Sequence, residues 1–263
     1  MRLTWYGTAA LLLETGDTVL AFDPFEGIPS SAKHPERGPF PHKEVFARAD
    51  HVFVTHGHFD HILMIPGLYR GTESLIHATG TPLRTLKKHG VLGKNLALVR
   101  PGDEITLGET KVRVFSGRHC RFDAALLMRT LFGKRARENP GQLARLLCWN
   151  FRYAEKGEIL VYEVSHGGKR VMILGSLGLD PETVYPVGAD ILILPFQGKS
   201  DLEDAAIPLV KRLRPKKVLL DHYDDSFPPM TSEINTERFI RLVEHRCGIP
   251  CRALQKGRTC LIG

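Results

Sequence analysis

Between His56 and His61 the chain places three histidines and one aspartate in six positions, His56-Gly57-His58-Phe59-Asp60-His61, directly after the apolar run His51-Val52-Phe53-Val54. Neutral imidazole and carboxylate together suit zinc, manganese or iron, and the lack of a neighbouring thiolate argues against a cysteine-based structural zinc site. The spacing has a geometric reading. If a strand over Val52 to Thr55 turns out of its sheet at Gly57, His56 and His58 lie two apart and point the same way. Asp60 and His61 follow where a loop feeds a helix, so they can face the same cavity from a second direction and hold a second ion. A divalent ion lowers the pKa of a bound water to about 7 and polarises an oxygen under attack. The chemistry expected is therefore hydrolysis by a metal-bound hydroxide, with Asp60 the candidate to orient it.

The elements that must position these groups alternate through the chain. Short strands are predicted at Leu3 to Tyr6, Ala9 to Glu14 and Thr18 to Phe22, closing on Asp23-Pro24. A stretch with five prolines, Pro24 to Pro41, reads as an irregular loop beside the histidine cluster that is able to gate it. Strands follow at Ser74 to His77, Leu96 to Val99, Glu104 to Leu107 and Lys111 to Phe115, with a short helix over Thr81 to His89. From Asp123 to Leu147 the apolar spacing turns helical, broken at Asn139-Pro140-Gly141, which predicts a helical hairpin inserted around 122–147. Strands return at Trp149 to Ala154, Ile159 to Val164, Arg170 to Leu174, Asp190 to Leu194 and Lys217 to Leu220, with helices over Leu202 to Arg214 and Ser232 to Cys247. Read from the residues alone, this is a mixed α/β (α+β) chain, expected to form one domain over residues 1–263.

His56-x-His58-x-Asp60-His61 resembles the signature of the metallo-β-lactamase superfamily, and the opening strands ending in Asp23-Pro24 resemble the subgroup of L-ascorbate 6-phosphate lactonase and related metal-dependent hydrolases. Where that subgroup commonly has Gly-His after the first strand, this chain has Gly7-Thr8. The resemblance implies a four-layer αββα sandwich. It further implies two ligands downstream: His119, at a strand end after Gly117, completes a first triad with His56 and His58. His222, after the strand Val218-Leu219-Leu220, joins Asp60 and His61 on a second ion, and Asp60 and His222 take the catalytic roles. Asp23 is expected to fix a ligand imidazole from behind, although a plain turn before Pro24 is an equal reading. In most hydrolases of this superfamily an aspartate bridging both ions follows a strand like Arg170 to Gly175, whereas here Ser176 stands in that place. Either two ions are held without a carboxylate bridge or the second binds weakly, with Asp180 a substitute ligand. The cofactor expected is one or two divalent ions, zinc first, with manganese or iron as alternatives.

Composition sets the outer limits. A hydrophobic content of 43% suffices for a globular core, and nowhere do about 18 uncharged apolar residues run together. A cytoplasmic protein without a membrane span is expected. Five scattered cysteines, Cys120, Cys148, Cys247, Cys251 and Cys260, do not suggest a disulfide framework, and Cys247 and Cys251 read as buried thiols at a helix end. The net charge of +7 suits a small anionic substrate. Arg118 and Arg121 flank His119-Cys120 and can pair with phosphate or carboxylate, Tyr223 is a further candidate contact, and Tyr223, Asp221 or water is the proton source for a leaving group. For the inserted helices, core packing ranks first, a pocket wall second and membrane adsorption third, and a homo-oligomer contact stays open. The expected function is metal-dependent hydrolysis of a small anionic ester, lactone or phosphodiester. The alternatives are a nuclease or phosphodiesterase on nucleic acid, which the lack of a dense basic run does not favour, and a metal-binding protein with little or no turnover, encouraged by Ser176.

Overall fold

Along the second strand, alternate residues belong to different cores. Leu11 and Leu13 pack into one apolar cluster while Ala10 and Leu12 pack into another, so the strand is buried on both faces. The computed structural model describes residues 1–16, 18–28, 38, 40–120, 123–153 and 156–263. Its first strands are β1 (Arg2–Gly7), β2 (Ala10–Thr15), β3 (Thr18–Phe22), β4 (His51–Phe53), β5 (Leu75–Ala78), β6 (Leu96–Leu98) and β7 (Glu104–Leu107). The remainder are β8 (Thr110–Ser116), β9 (Leu160–His166), β10 (Lys169–Leu174), β11 (Ile191–Pro195), β12 (Val218–Asp221), β13 (Cys251–Ala253) and β14 (Thr259–Leu261). They form two 7-stranded sheets, ordered β14-β1-β2-β3-β4-β5-β6 and β13-β12-β11-β10-β9-β8-β7.

The apolar clusters define the layers. One is shared by the two sheets: Leu3, Phe22 and Phe53 of the first meet Tyr162, Ile173 and Ile193 of the second. A second covers the other face of the first sheet, beneath the short helices α1 (Lys43–Phe46), α2 (Phe59–Ile62) and α3 (Ile65–Leu68) and the helix α4 (Gly80–Lys88). A third lies between the second sheet and two helices near the C-terminus. Helices therefore cover the outer face of each sheet, which is the four-layer αββα sandwich.

Three consecutive helices, α5 (Ala124–Phe132), α6 (Lys134–Glu138) and α7 (Pro140–Arg152), form the insertion, and α8 (Leu202–Leu213) and α9 (Glu237–Cys247) complete the set. The strand expected over Trp149 to Ala154 is instead the last turn of α7, with Ala154 outside the described residues. The alternation Trp149-Asn150-Phe151-Arg152 imitates a strand. However, Leu146 and Trp149 continue a helical stripe that rests on the first sheet's outer cluster, and the Tyr153 N–H donates to Trp149 O at 2.8 Å. Core packing of the insertion is found for α7, through Leu146 and Trp149, and for α6, through the buried Ala136, whereas α5 has no buried residue. Helix α9 starts at Glu237 rather than Ser232, and Cys251 is buried in β13 rather than at a helix end. Most of the loop expected to gate the site, residues 29–37 and 39, lies outside the described residues.

The sheets touch most tightly where β10 ends. A Cβ on Gly175 would lie 2.3 Å from Thr55 Cβ, so only glycine fits beside the start of the histidine loop. Gly175→Ala is expected to lower stability by about 1–3 kcal/mol through forced repacking, read as a lower urea midpoint with unchanged slope. A midpoint equal to that of the native chain would show that this approach is not close.

Candidate metal centre

The histidine loop begins where β4 stops. Val54 keeps to the sheet by donating its N–H to His77 O at 2.9 Å, while its carbonyl accepts from the Tyr162 hydroxyl at 2.7 Å. His58 is extended, at φ −66° and ψ 153°, and stands just before α2, so Asp60 and His61 ride on the first turn of that helix. His119 follows β8, where Gly117 bridges to Leu179. His222 adopts the left-handed φ of 58° immediately after β12, turning its ring out of the sheet, and its N–H donates to Thr8 O at 3.0 Å.

These elements bring six side chains into two groups. Ligand-type atoms of His56, His58 and His119 lie within 4.8 Å of one another, and so do those of Asp60, His61 and His222. His56 Nε2 is 3.1 Å from His58 Nδ1, and Asp60 Oδ2 is 3.6 Å from His222 Nε2. The groups touch through His56 and His61, whose ring centroids are 3.9 Å apart. Among the described residues they share no carboxylate.

Behind the rings, hydrogen bonds fix which nitrogen faces inward. Asp23 is buried, and its Oδ2 accepts from His61 Nδ1 at 2.8 Å and from the Thr55 hydroxyl at 2.6 Å. Having donated its proton to Asp23, the Thr55 hydroxyl is left to accept from His56 Nδ1, 3.0 Å away. One carboxylate thus orients an imidazole in each group. His119 Nδ1 donates to Cys120 O and His222 Nδ1 to Gln197 Oε1, each at 2.6 Å. Four Nε2 atoms are thereby left as donors for a metal, the arrangement by which proteins preset metal-binding histidines. Gln197 was missed by sequence reasoning because an amide is not a metal-ligand type. The available signal was its place two residues beyond β11, beside the end of β12.

Electrostatics set the protonation that a metal requires. Burial holds His56 well below its ordinary value, and the neighbouring imidazoles add to the shift. Burial also brings His58 down to about 4 against the pull of Asp60. Although burial opposes its charge, His61 and His222 hold the Asp60 carboxyl well below the usual carboxylate range. Burial likewise opposes a charged His222, yet the hydrogen bond and charge of Asp60, with the charges of Asp221 and Asp224, outweigh it and raise His222. Asp221, next to His222, is buried with Oδ1 unpartnered, and its desolvation raises it to about 7. The neutral His56 and His58, the ionised Asp60 and the inward-facing nitrogens fit a divalent cation.

Other candidates are placed differently. Ser176 is buried, and its hydroxyl accepts from the Cys120 N–H at 3.1 Å, tying β10 to the loop of His119. Asp180 is not brought to either group, as its carboxylate accepts from Glu182 N at 3.1 Å and Thr183 Oγ1 at 2.9 Å. Tyr223 stacks on Trp5 at 5.1 Å and donates its hydroxyl to Leu254 O, so its proton is engaged by the backbone. Arg118 is exposed beside His119, and Arg121 lies outside the described residues. In place of the subgroup's histidine, Thr8 donates its N–H to Asp224 at 3.0 Å and its hydroxyl to Ser226 at 2.9 Å.

Two facing sheets between helical layers, with two convergent groups of three at one end, define the metallo-β-lactamase class of fold. A sequence profile described as "Beta-lactamase superfamily domain" matches residues 2–222, and the chain belongs to that family. A curated relative from Pyrobaculum arsenaticum, named a UPF0173 metal-dependent hydrolase, is 32% identical over 83 residues, covering 32% of this chain and 31% of that protein. The chain spans 46% or less of the length of the first three curated relatives that it matches. Among solved structures, Igni18, a metallo hydrolase from Ignicoccus hospitalis, is similar at a TM-score of 0.65 and 18% identity, covering 100% of this chain and 98% of that one. The metallo-beta-lactamase fold protein YhfI from Bacillus subtilis is similar at a TM-score of 0.60 and 14% identity, covering 99% of each chain.

Replacing Thr55 by valine keeps the volume and removes the relay from Asp23 to His56, while His61 retains its own bond to Asp23. Metal affinity of the His56 group is expected to fall about 10–100-fold, with the Asp60 group less affected, as read by chelator competition. Equal weakening at both groups would contradict this division of labour.

Proposed function

We propose that this metal-dependent hydrolase of the metallo-β-lactamase superfamily holds two divalent ions, zinc the first choice, and cleaves a small anionic ester, lactone or phosphodiester. The supporting observation is the convergence of His56, His58 and His119 beside Asp60, His61 and His222, all within reach of one substrate-sized centre. In this reading His56, His58 and His119 hold one ion and Asp60, His61 and His222 the other, within a single domain over residues 1–263. Bound ions would supply an activated water near neutral pH and polarise the oxygen under attack.

The remaining roles fall to the chain itself. Asp60 stays ionised under the influence of His61 and His222, so its carboxylate can accept a hydrogen bond from a water and orient it. Arg118, beside His119, provides cationic charge for an anionic substrate, consistent with the net charge of +7. Asp221, raised by burial to about 7, is the buried acid nearest in sequence to the centre and can exchange a proton at neutral pH. Ser176, bonded to Cys120 N, positions the His119 loop and leaves the two ions without a carboxylate bridge.

Purified protein should contain about two metal ions per chain and turn over at least one member of a chromogenic panel of phosphodiesters, lactones and thioesters. His58→Ala should abolish that turnover. Stoichiometric metal with no panel member cleaved faster than by His58→Ala would replace the hydrolase reading with that of a metal-binding protein.

Acid should empty the groups in a fixed order. Protons compete for His222 near or above the ordinary histidine value of 6.5, because its affinity for a proton is raised. They compete for His58 only as the pH approaches about 4. Elemental analysis after dialysis at stepped pH should therefore show the Asp60 group losing its ion first as pH falls. Simultaneous loss, or loss from the His56 group first, would contradict these roles.

A further inference from the structure

Helices α5 and α7 are apolar on the side that faces away from the fold. Helix α7 rests on the first sheet's outer cluster through Leu146 and Trp149, and Trp149 stacks on Phe59 at 5.5 Å. Its opposite face carries Ala144, Leu147, Cys148 and Phe151, a spacing of i, i+3, i+4 and i+7, all exposed. Phe151 is 90% exposed. Helix α5 repeats the pattern, presenting Ala124, Ala125, Met128 and Phe132 outward, with Met128 58% and Phe132 60% exposed. A helix that is apolar on both faces ordinarily has a partner on each.

Charge indicates which partner. Over residues 123–153 there are six cations, Arg129, Lys134, Arg135, Arg137, Arg145 and Arg152, against two acids, Asp123 and Glu138. Arg152 adjoins Phe151, and Arg129 adjoins Met128. A two-fold contact between copies would set this cationic segment against itself, whereas an anionic surface would complement it. Cations beside exposed Phe, Leu and Met are the chemistry by which helices lie in the headgroup region of a bilayer.

The insertion is also tied to the surroundings of the metal centre. Asp123 accepts from Ser200 N at 2.8 Å, three residues beyond Gln197. Arg135 donates to Thr231 O in the segment after His222, and Trp149 stacks on Phe59, the neighbour of His58. We propose that the outward faces of α5 and α7 dock this protein on an anionic lipid surface, with the metal centre held beneath the docked helices.

Co-sedimentation of the metal-loaded protein with phosphatidylglycerol vesicles tests this, with phosphatidylcholine vesicles as the comparison. Binding is expected only to the anionic vesicles and should weaken with added salt. It should fall at least about tenfold in a Phe132→Asp/Phe151→Asp variant and in an Arg137→Glu/Arg152→Glu variant. These positions are exposed, so melting temperature and metal content should stay at native values and a loss of binding cannot be assigned to unfolding. Failure to sediment with phosphatidylglycerol, or equal binding by the native chain and both variants, would overturn the proposal. It would also be overturned if polyglutamate bound the protein while vesicles did not, or if a dimer dispersed by the phenylalanine substitutions formed without vesicle binding.

Discussion

The metal centre depends on the carboxylate of Asp23. It sits directly after β3 at a left-handed φ of 39°, which turns its side chain toward the neighbouring strand end. There it accepts from Thr55 N at 2.8 Å, the Thr55 hydroxyl and His61 Nδ1. Burying a carboxylate costs free energy unless it is hydrogen-bonded, and the partners here are the groups that set the orientation of His56 and His61. The end of one strand, the start of the histidine loop and the first turn of α2 are thereby fixed to each other by a single residue. Gly175 completes the knot from the opposite sheet, since no side chain fits between it and Thr55.

Much of this was legible in the chain. The spacing from His56 to His61 announces its chemistry because consecutive ligands need little tertiary information, and the unbroken apolar run from Ala9 to Leu13 marks a strand buried on both faces. The fold's strand order was not legible from patterning, since pairing such as β14 with β1 joins residues at opposite ends of the chain. His119 and His222 were found through a family pattern rather than through any property of their neighbourhoods. Gln197 had no comparable signal, because its importance lies wholly in a hydrogen bond across two strand ends. Trp149 to Arg152 misled for a physical reason: aromatic-polar alternation has period two, but its aromatic residues lie on different sides of a helix.

Ser176 shows how one substitution alters a site without emptying it. With a hydroxyl in place of a carboxylate, the residue bonds the backbone of Cys120, so it acts on the loop instead of between the two groups of candidate ligands. The two groups then lack shared charge from the protein, and their properties diverge. Burial prevails at His56 and His58, whereas at His222 the carboxylates of Asp60, Asp221 and Asp224 together outweigh it. The site is therefore asymmetric in its affinity for protons and, by linkage, for metal.

The bond from His222 N to Thr8 O, with Thr8 N bound in turn to Asp224, closes a loop of 216 residues. During synthesis the compact cluster around His56 emerges early, but the ring that completes the Asp60 group is held in place only after nearly the whole chain has been made. Loop closure over such a separation is slow because its entropy must be lost before the contacts can form. The Asp60 group is accordingly complete only when this long-range contact is made, and a cation held by the segment around His56 alone would have only part of the ligand set.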